Sequence, residues 1–155
     1  MRTLLGISGY YHDSAAALLI DGEIVAAAQE ERFSRRKNDE RFPVHAVFFC
    51  LKQAGIGLAD VDAVVFYDKP VVKFSRVLES FLAIAPAGLP AWLRVLPSWL
   101  SEKLNLRQTI RDELDGLPAE CPILFTEHHV AHAASAFYPS PFDRAAILTV
   151  DGVGE

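Results

Sequence analysis

Cysteine is almost missing. Cys50 and Cys121 are the only two in 155 residues, and no CxxC spacing occurs. Neither a disulfide framework nor a thiolate zinc site follows, and a reducing compartment is the simpler expectation. Basic charge is scarce as well. The formal net charge is -5, and the longest basic block is Arg35-Arg36-Lys37. A duplex nucleic-acid binder needs a positive stripe to neutralise phosphates, so no nucleic-acid partner is expected. The opening MRTLLGISGYYHDS has neither the long apolar run nor the small-residue cleavage site of a signal peptide. Between Val77 and Leu100 the chain is strongly apolar, but Pro86, Pro90 and Pro97 interrupt it and Arg94 is charged. A spanning helix wants roughly 20 continuous apolar residues. The expectation is a cytoplasmic protein without a membrane partner, with this stretch forming a buried or partner-facing helical hairpin. Internal repeats and low-complexity tracts are also missing.

What is present is enough apolar residue, 51%, for a real core. TLLGISG is a short apolar run ending in glycine. SAAALLID and EIVAAAQEE flank Asp21-Gly22, a dipeptide suited to the positive φ angles of a tight hairpin. Their many alanines suggest that something packs closely on them. The following ERFSRRKNDERFP is too charged to be core, apart from a buried-looking Phe33. Pro43 suits a first helical turn, Val44, Val47, Phe48, Leu51 and Ala54 recur at helical spacing, and Gly55 is a plausible stop. DAVVFYD is a strand. From Pro70 to about Leu114 the chain reads as helical and irregular. CPILFTE is a strand, HHVAHAASAFY a helix and AAILTVDG a last strand. The order β-β-β-α-β, helical insert, β-α-β implies an α/β mixed sheet flanked by helices.

Four constellations can carry chemistry. His128 and His132 lie one helical turn apart, roughly 6 Å along the axis, a spacing suited to two ligands of one metal ion. The interior residues are His129, Val130 and Ala131, so the glutamate of a zincin peptidase is missing; an isolated pair of this kind is more often a polar helix start facing water. Asp151-Gly152-Val153-Gly154-Glu155 follows an apolar run. The aspartate can hold a metal and the glycines let backbone amides approach a phosphate, although an ordinary Asp-Gly turn explains the same letters. Gly9-Tyr10-Tyr11-His12-Asp13-Ser14 connects two strands. His12 suits a general base there, or simply caps local backbone. The run Glu30–Asp39 is either a solvated face or an anion clamp through Lys37 or an arginine.

Together these segments carry a resemblance. GISGYYHDSAAALLIDGEIVAAAQEERFSRRKND, then EHHVAHAASAFYPSPF, then DGVGE closely resemble the N-terminus of the nodulation- and antibiotic-type (NodU/CmcH) O-carbamoyltransferases, in the same order from Leu4 to Glu155. The resemblance implies the first half of an actin, hexokinase and sugar-kinase-like (ribonuclease H-like) fold, with a helical insert at about 70–117. Residues 1–155 would then be an N-terminal subdomain. It implies transfer of a carbamoyl group from carbamoyl-adenylate to a hydroxyl of a sugar or antibiotic intermediate. A C-terminal domain outside this chain would make the adenylate from ATP and carbamoyl phosphate. His128, His132 and Asp151 would be metal ligands, with a further aspartate beyond Glu155, and His12 the catalytic histidine. Lys37 and Gly152, Val153 and Gly154 would contact the adenylate and its phosphate. Two imidazoles and a carboxylate favour iron(II), with manganese or zinc as alternatives. Gly6-Ile7-Ser8-Gly9 replaces the Asp-x-Gly loop of many kinases of this fold, which argues against phosphotransfer by this half.

Two other readings are a tRNA threonylcarbamoyl-transfer subunit of the same fold, and a non-catalytic binding or assembly module built around Trp92 and Trp99. The acidity and the YYHDSAA and EERFSRRKND segments speak against the first. The presence together of His12, His128, His132 and Asp151 speaks against the second. By itself the chain is expected to be inactive and, with apolar surface exposed, to self-associate.

Overall fold

A computed structural model describes residues 1–69 and 105–151, with 78, 79, 81–83, 85, 89, 90 and 93 between them. Trp92, Trp99 and residues 152–155 lie outside the described residues, so the apolar hairpin and the glycine loop are not addressed by it. The chain divides into two compact units, 1–67 with 110–125 and 68–109 with 126–155.

The first unit is built on five strands: β1 (Thr3–Ser8), β2 (Ala15–Ile20), β3 (Glu23–Gln29), β4 (Ala63–Phe66) and β5 (Ile123–Phe125). They are ordered β3-β2-β1-β4-β5. The first three are antiparallel, whereas β4 runs parallel to β1 and β5 parallel to β4. This is the mixed α/β sheet expected.

Register explains the core. Ala26, Leu18, Leu5, Val64 and Ile123 are successive cross-strand partners, and every one of them is buried. A single row of side chains therefore crosses all five strands. Directly opposite residues share a face, so the period of two along each strand repeats this burial from strand to strand. Asp21 and Gly22 form the β2–β3 turn with φ of 50° and 91°, the positive pair that a two-residue hairpin requires. One extra residue makes a bulge opposite Leu18 and Leu19.

Helix α2 (Val44–Ala54) packs on β2 and β3. Its buried residues are Ala46, Val47, Cys50 and Leu51, and Cys50 Sγ lies 3.6 Å from the carbonyl oxygen of Ala16. The alanines of the hairpin admit this close approach. Phe48, expected on the buried stripe, is instead 52% exposed. Gly55 ends the helix at φ 69°, a conformation costly to residues with a Cβ.

The charged stretch after β3 is less solvated than its letters imply. Glu30, Asp39 and Phe42 are all buried, while Phe33 is exposed and stacks on Phe49. Glu30 completes the N-terminus of α2. Its carboxylate accepts the Ala46 amide at 2.9 Å and the His45 ring nitrogen. Pro43, the N-cap residue, offers no side-chain acceptor, so a glutamate sixteen residues before Ala46 does that work.

Helix α1 (Glu31–Ser34) is a single turn. Helix α3 (Leu106–Glu113) precedes β5, and its Arg111 donates to the carbonyl oxygens of Pro118 and Cys121. In the second unit, helix α4 (His128–Phe137) buries no residue. The expected last strand is not formed. Ala145–Val150 has no strand pairing among the described residues, and Leu148 is 87% exposed. A strand exists only through a partner's hydrogen bonds, and none of the described residues supplies them. Among the described residues no helix is long and apolar enough to cross a membrane.

Candidate metal centre and catalytic loop

Helix α4 presents His128 and His132 from successive turns of one face, as their i, i+4 spacing requires. Their Nε2 atoms are 3.2 Å apart, with the two rings perpendicular. Asp151, arriving from the tract after the helix, directs Oδ2 to within 2.9 Å of His128 Nε2 and 3.8 Å of His132 Nε2. The three donor atoms lie within 4.8 Å of one another. Two donors bound about 2.1 Å from one ion, at octahedral or tetrahedral angles, stand roughly 3.0–3.4 Å apart. The observed spacings straddle that range. Two neutral imidazoles and one carboxylate are a donor set that divalent first-row metals accept, so the residues fit the group. Lys69 and Glu127 form an ion pair of 2.9 Å, and Glu127 directly precedes His128.

His129 also reaches the same carboxylate oxygen, at 3.3 Å from Nε2. Three imidazoles from the start of one helix therefore approach one aspartate. The spacing rule that singled out positions 128 and 132 passed over 129, because neighbouring helical residues diverge by about 100°. Asp151 is not on the helix, and it approaches between the two directions.

In the first unit the loop Gly9–Ser14 is held from one side. The amides of Tyr10 and Ser14 donate to the carbonyl oxygens of Glu40 and Asp39, at 2.8 and 2.9 Å. Asp39 is itself gripped by Arg41, whose guanidinium donates to both carboxylate oxygens at 2.9 and 2.6 Å. That pairing holds the Asp39 carboxyl well below the usual carboxylate range. Tyr10 sits at φ 68° between Phe42 and Phe66. Burial, with the charge of Glu113 second, pushes its phenol above the ordinary tyrosine value. His12 is about half exposed, with Nδ1 2.8 Å from Asp13 Oδ2 and its ring 4.5 Å from that of Tyr11. Lys37 is exposed in the turn after α1. Gly152, Val153 and Gly154 lie outside the described residues.

Compared with known sequences, residues 3–155 match the family described as Carbamoyltransferase N-terminus. The chain belongs to that family. An uncharacterized protein of Synechocystis sp. is 55% identical over all of this chain, which spans 26% of that relative. The nodulation protein NolNO of Sinorhizobium fredii is 32% identical over 94% of the chain and 20% of its own length. Among solved structures, an uncharacterized Pseudomonas aeruginosa protein with similarity to peptidase YEAZ matches with a TM-score of 0.43 at 18% identity. That match covers 90% of this chain and 50% of the other.

The chain spans about a quarter of the first of these relatives and a fifth of the second. Within the chain, the Asp39–Arg41 grip, the Glu30 cap and the Asp13–His12 contact were not legible beforehand. The first two draw on a charged stretch whose composition reads as solvated face, and the third lies in the Gly9–Ser14 loop. The one available signal was the unusual density of carboxylates beside cations in EERFSRRKNDER.

Proposed function

We propose that this chain is the carbamoyl-transferring N-terminal part of a longer O-carbamoyltransferase, acting on a hydroxyl of a sugar or natural-product acceptor. The observation that carries the reading is the convergence of His128, His132 and Asp151 donor atoms within 4.8 Å, in a member of the carbamoyltransferase N-terminus family.

A divalent ion held by these three residues would polarise the carbamoyl carbonyl and stabilise the charge that develops on it. Iron(II) is the favoured ion, with manganese and zinc as alternatives. The chain's own residues supply the remainder. His12 accepts the proton of the acceptor hydroxyl. That hydroxyl oxygen bonds to the carbamoyl carbon, the bond from this carbon to the adenylate phosphate oxygen breaks, and AMP departs with the electron pair. Lys37 and the backbone amides of Gly152, Val153 and Gly154 bind the adenylate phosphate, the lysine by charge and the amides by hydrogen bonds. ATP and carbamoyl phosphate are consumed elsewhere in the longer protein, where carbamoyl-adenylate is made.

The 155-residue chain alone turns nothing over, because its three described donors leave the ion open to water. Exposed Ile147, Leu148 and Val150 favour self-association. The test is carbamoyl transfer to a hydroxyl acceptor by the longer protein. Replacing both His128 and His132 by alanine should abolish it, and undiminished turnover by that double variant would end the proposal.

A further inference from the structure

We propose that Asp13 is a positioning residue for His12, fixing its imidazole as the Nδ1–H tautomer so that Nε2 is the atom free to take a proton. This rests on the reading of His12 as the base for the acceptor hydroxyl. Asp13 belongs to none of the roles assigned above, and the structure supplies the reason to add it.

The contact decides the tautomer by chemistry. An ionised carboxylate only accepts hydrogen bonds, so an imidazole nitrogen 2.8 Å from Asp13 Oδ2 must carry the proton. In a neutral ring the other nitrogen then holds the lone pair. His12 Nε2 makes no hydrogen bond among the described residues, so a substrate hydroxyl can reach it. Adjacent residues rarely point side chains the same way, since extended backbone sends them to opposite sides. Here Asp13 has φ 53°. That left-handed conformation is costly for most residues and tolerated by aspartate and asparagine. It turns the carboxylate back onto the preceding ring. The Tyr11 ring, 4.5 Å from that of His12, limits the imidazole from its other neighbour.

The loop is also anchored. Tyr10 and Ser14, two residues before His12 and one after Asp13, are tied by their amides to Glu40 and Asp39. Ser14 is buried, with 1% of its surface exposed. The strained φ angles at Tyr10 and Asp13 therefore occur in backbone held at both ends. Such strain persists where surrounding contacts over-determine it, and it gathers at functional loops. An unanchored surface pair would sample many rotamers; this one is presented from a fixed platform.

The proposal is tested in two parts. In the 155-residue chain labelled with ¹⁵N-histidine, long-range proton–nitrogen correlation reads the tautomer of each ring, with a His12→Ala sample identifying the signals of His12. The expected result is an unprotonated Nε2 in the wild-type chain, and a majority of Nε2–H, as in free histidine, after Asp13→Gly. Glycine accepts the left-handed backbone without strain, so the loop is retained while the carboxylate is lost. Asp13→Asn keeps both the backbone and an acceptor oxygen and should restore part of the wild-type pattern. A wild-type His12 already in the Nε2–H form, or one indifferent to Asp13→Gly, overturns the positioning role.

The second part uses the longer enzyme. His12→Ala should lower kcat by about 10²–10⁴-fold. Asp13→Gly should lower it roughly tenfold with KM almost unchanged, because the free ring still visits the correct tautomer part of the time. If His12→Ala leaves kcat intact, the base assignment falls, and the positioning role with it. If His12→Ala abolishes turnover and Asp13→Gly does not change kcat, the assignment stands and the positioning role alone fails.

Discussion

Thr3–Ser8 and Ala145–Val150 are six-residue apolar segments of nearly the same character, TLLGIS and AAILTV, and both read as strands. The first is the central strand of the sheet, with β2 on one side and β4 on the other, and Leu5 completely buried. The second makes no ladder among the described residues and leaves Ile147, Leu148 and Val150 exposed. Apolar composition states that a segment gains by burial. It does not state that a partner is at hand. The hairpin gives β1 a neighbour a few residues along the chain, at little loop-closure cost. No described residue does the same for Ala145–Val150.

The contrast can be broken most directly at Leu5. Leu5→Ala should cost about 2–5 kcal/mol in urea unfolding, through lost transfer energy and a cavity under the five-strand row. Loss of a candidate metal donor should come next. Asp151→Ala should weaken binding of cobalt(II) or manganese(II) to the chain by about 100-fold or more in calorimetric titration, and His129→Ala by about tenfold, because it contacts the carboxylate without being one of the three donors. Third, Glu30→Ala removes a charged acceptor from the first turn of α2, and about 2 kcal/mol of stability should go with it.

Asp39 gives a pH-dependent test of the pinned loop. Its carboxyl is held low by Arg41, so the folded state binds this proton less readily than the unfolded chain. The stabilisation is fully present above the ordinary carboxylate pKa of about 4, and is lost as pH falls below that toward the depressed folded value. Wild type should therefore melt higher than Asp39→Asn at pH 7, and the gap in Tm should close in strong acid. A gap that widens on acidification would contradict the Arg41 grip. The smallest effect belongs to Leu148→Ala, expected within about 0.5 kcal/mol of wild type. A cost comparable to that of Leu5→Ala would erase the distinction between the two segments.

Much of the first unit was legible in advance because its signals are local. Asp21-Gly22 announces the turn, the short apolar run TLLGISG announces β1, and Gly55 stops α2. The same local rule put Phe48 on the buried stripe, where packing chose Ala46 and Cys50 instead. The alanines of β2 and β3 leave room for small residues on the helix, and a phenylalanine ring does not fit that approach. The candidate metal donors were legible in part. A helical spacing of four marks His128 and His132 as a pair, but nothing in the spacing of nineteen residues from His132 to Asp151 says where that carboxylate will point.

The sequence alone settles which segments seek burial, where the chain must turn, and that two histidines share a helical face. These follow from side-chain period and backbone sterics within a few residues. Only the tertiary structure decides that Glu30 caps a helix begun fourteen residues later, that Asp39 and Arg41 hold the histidine loop, and that Asp13 and Asp151 turn their oxygens onto imidazoles. Each depends on where two separate stretches of backbone meet or on an unusual φ angle, and neither is encoded in local periodicity.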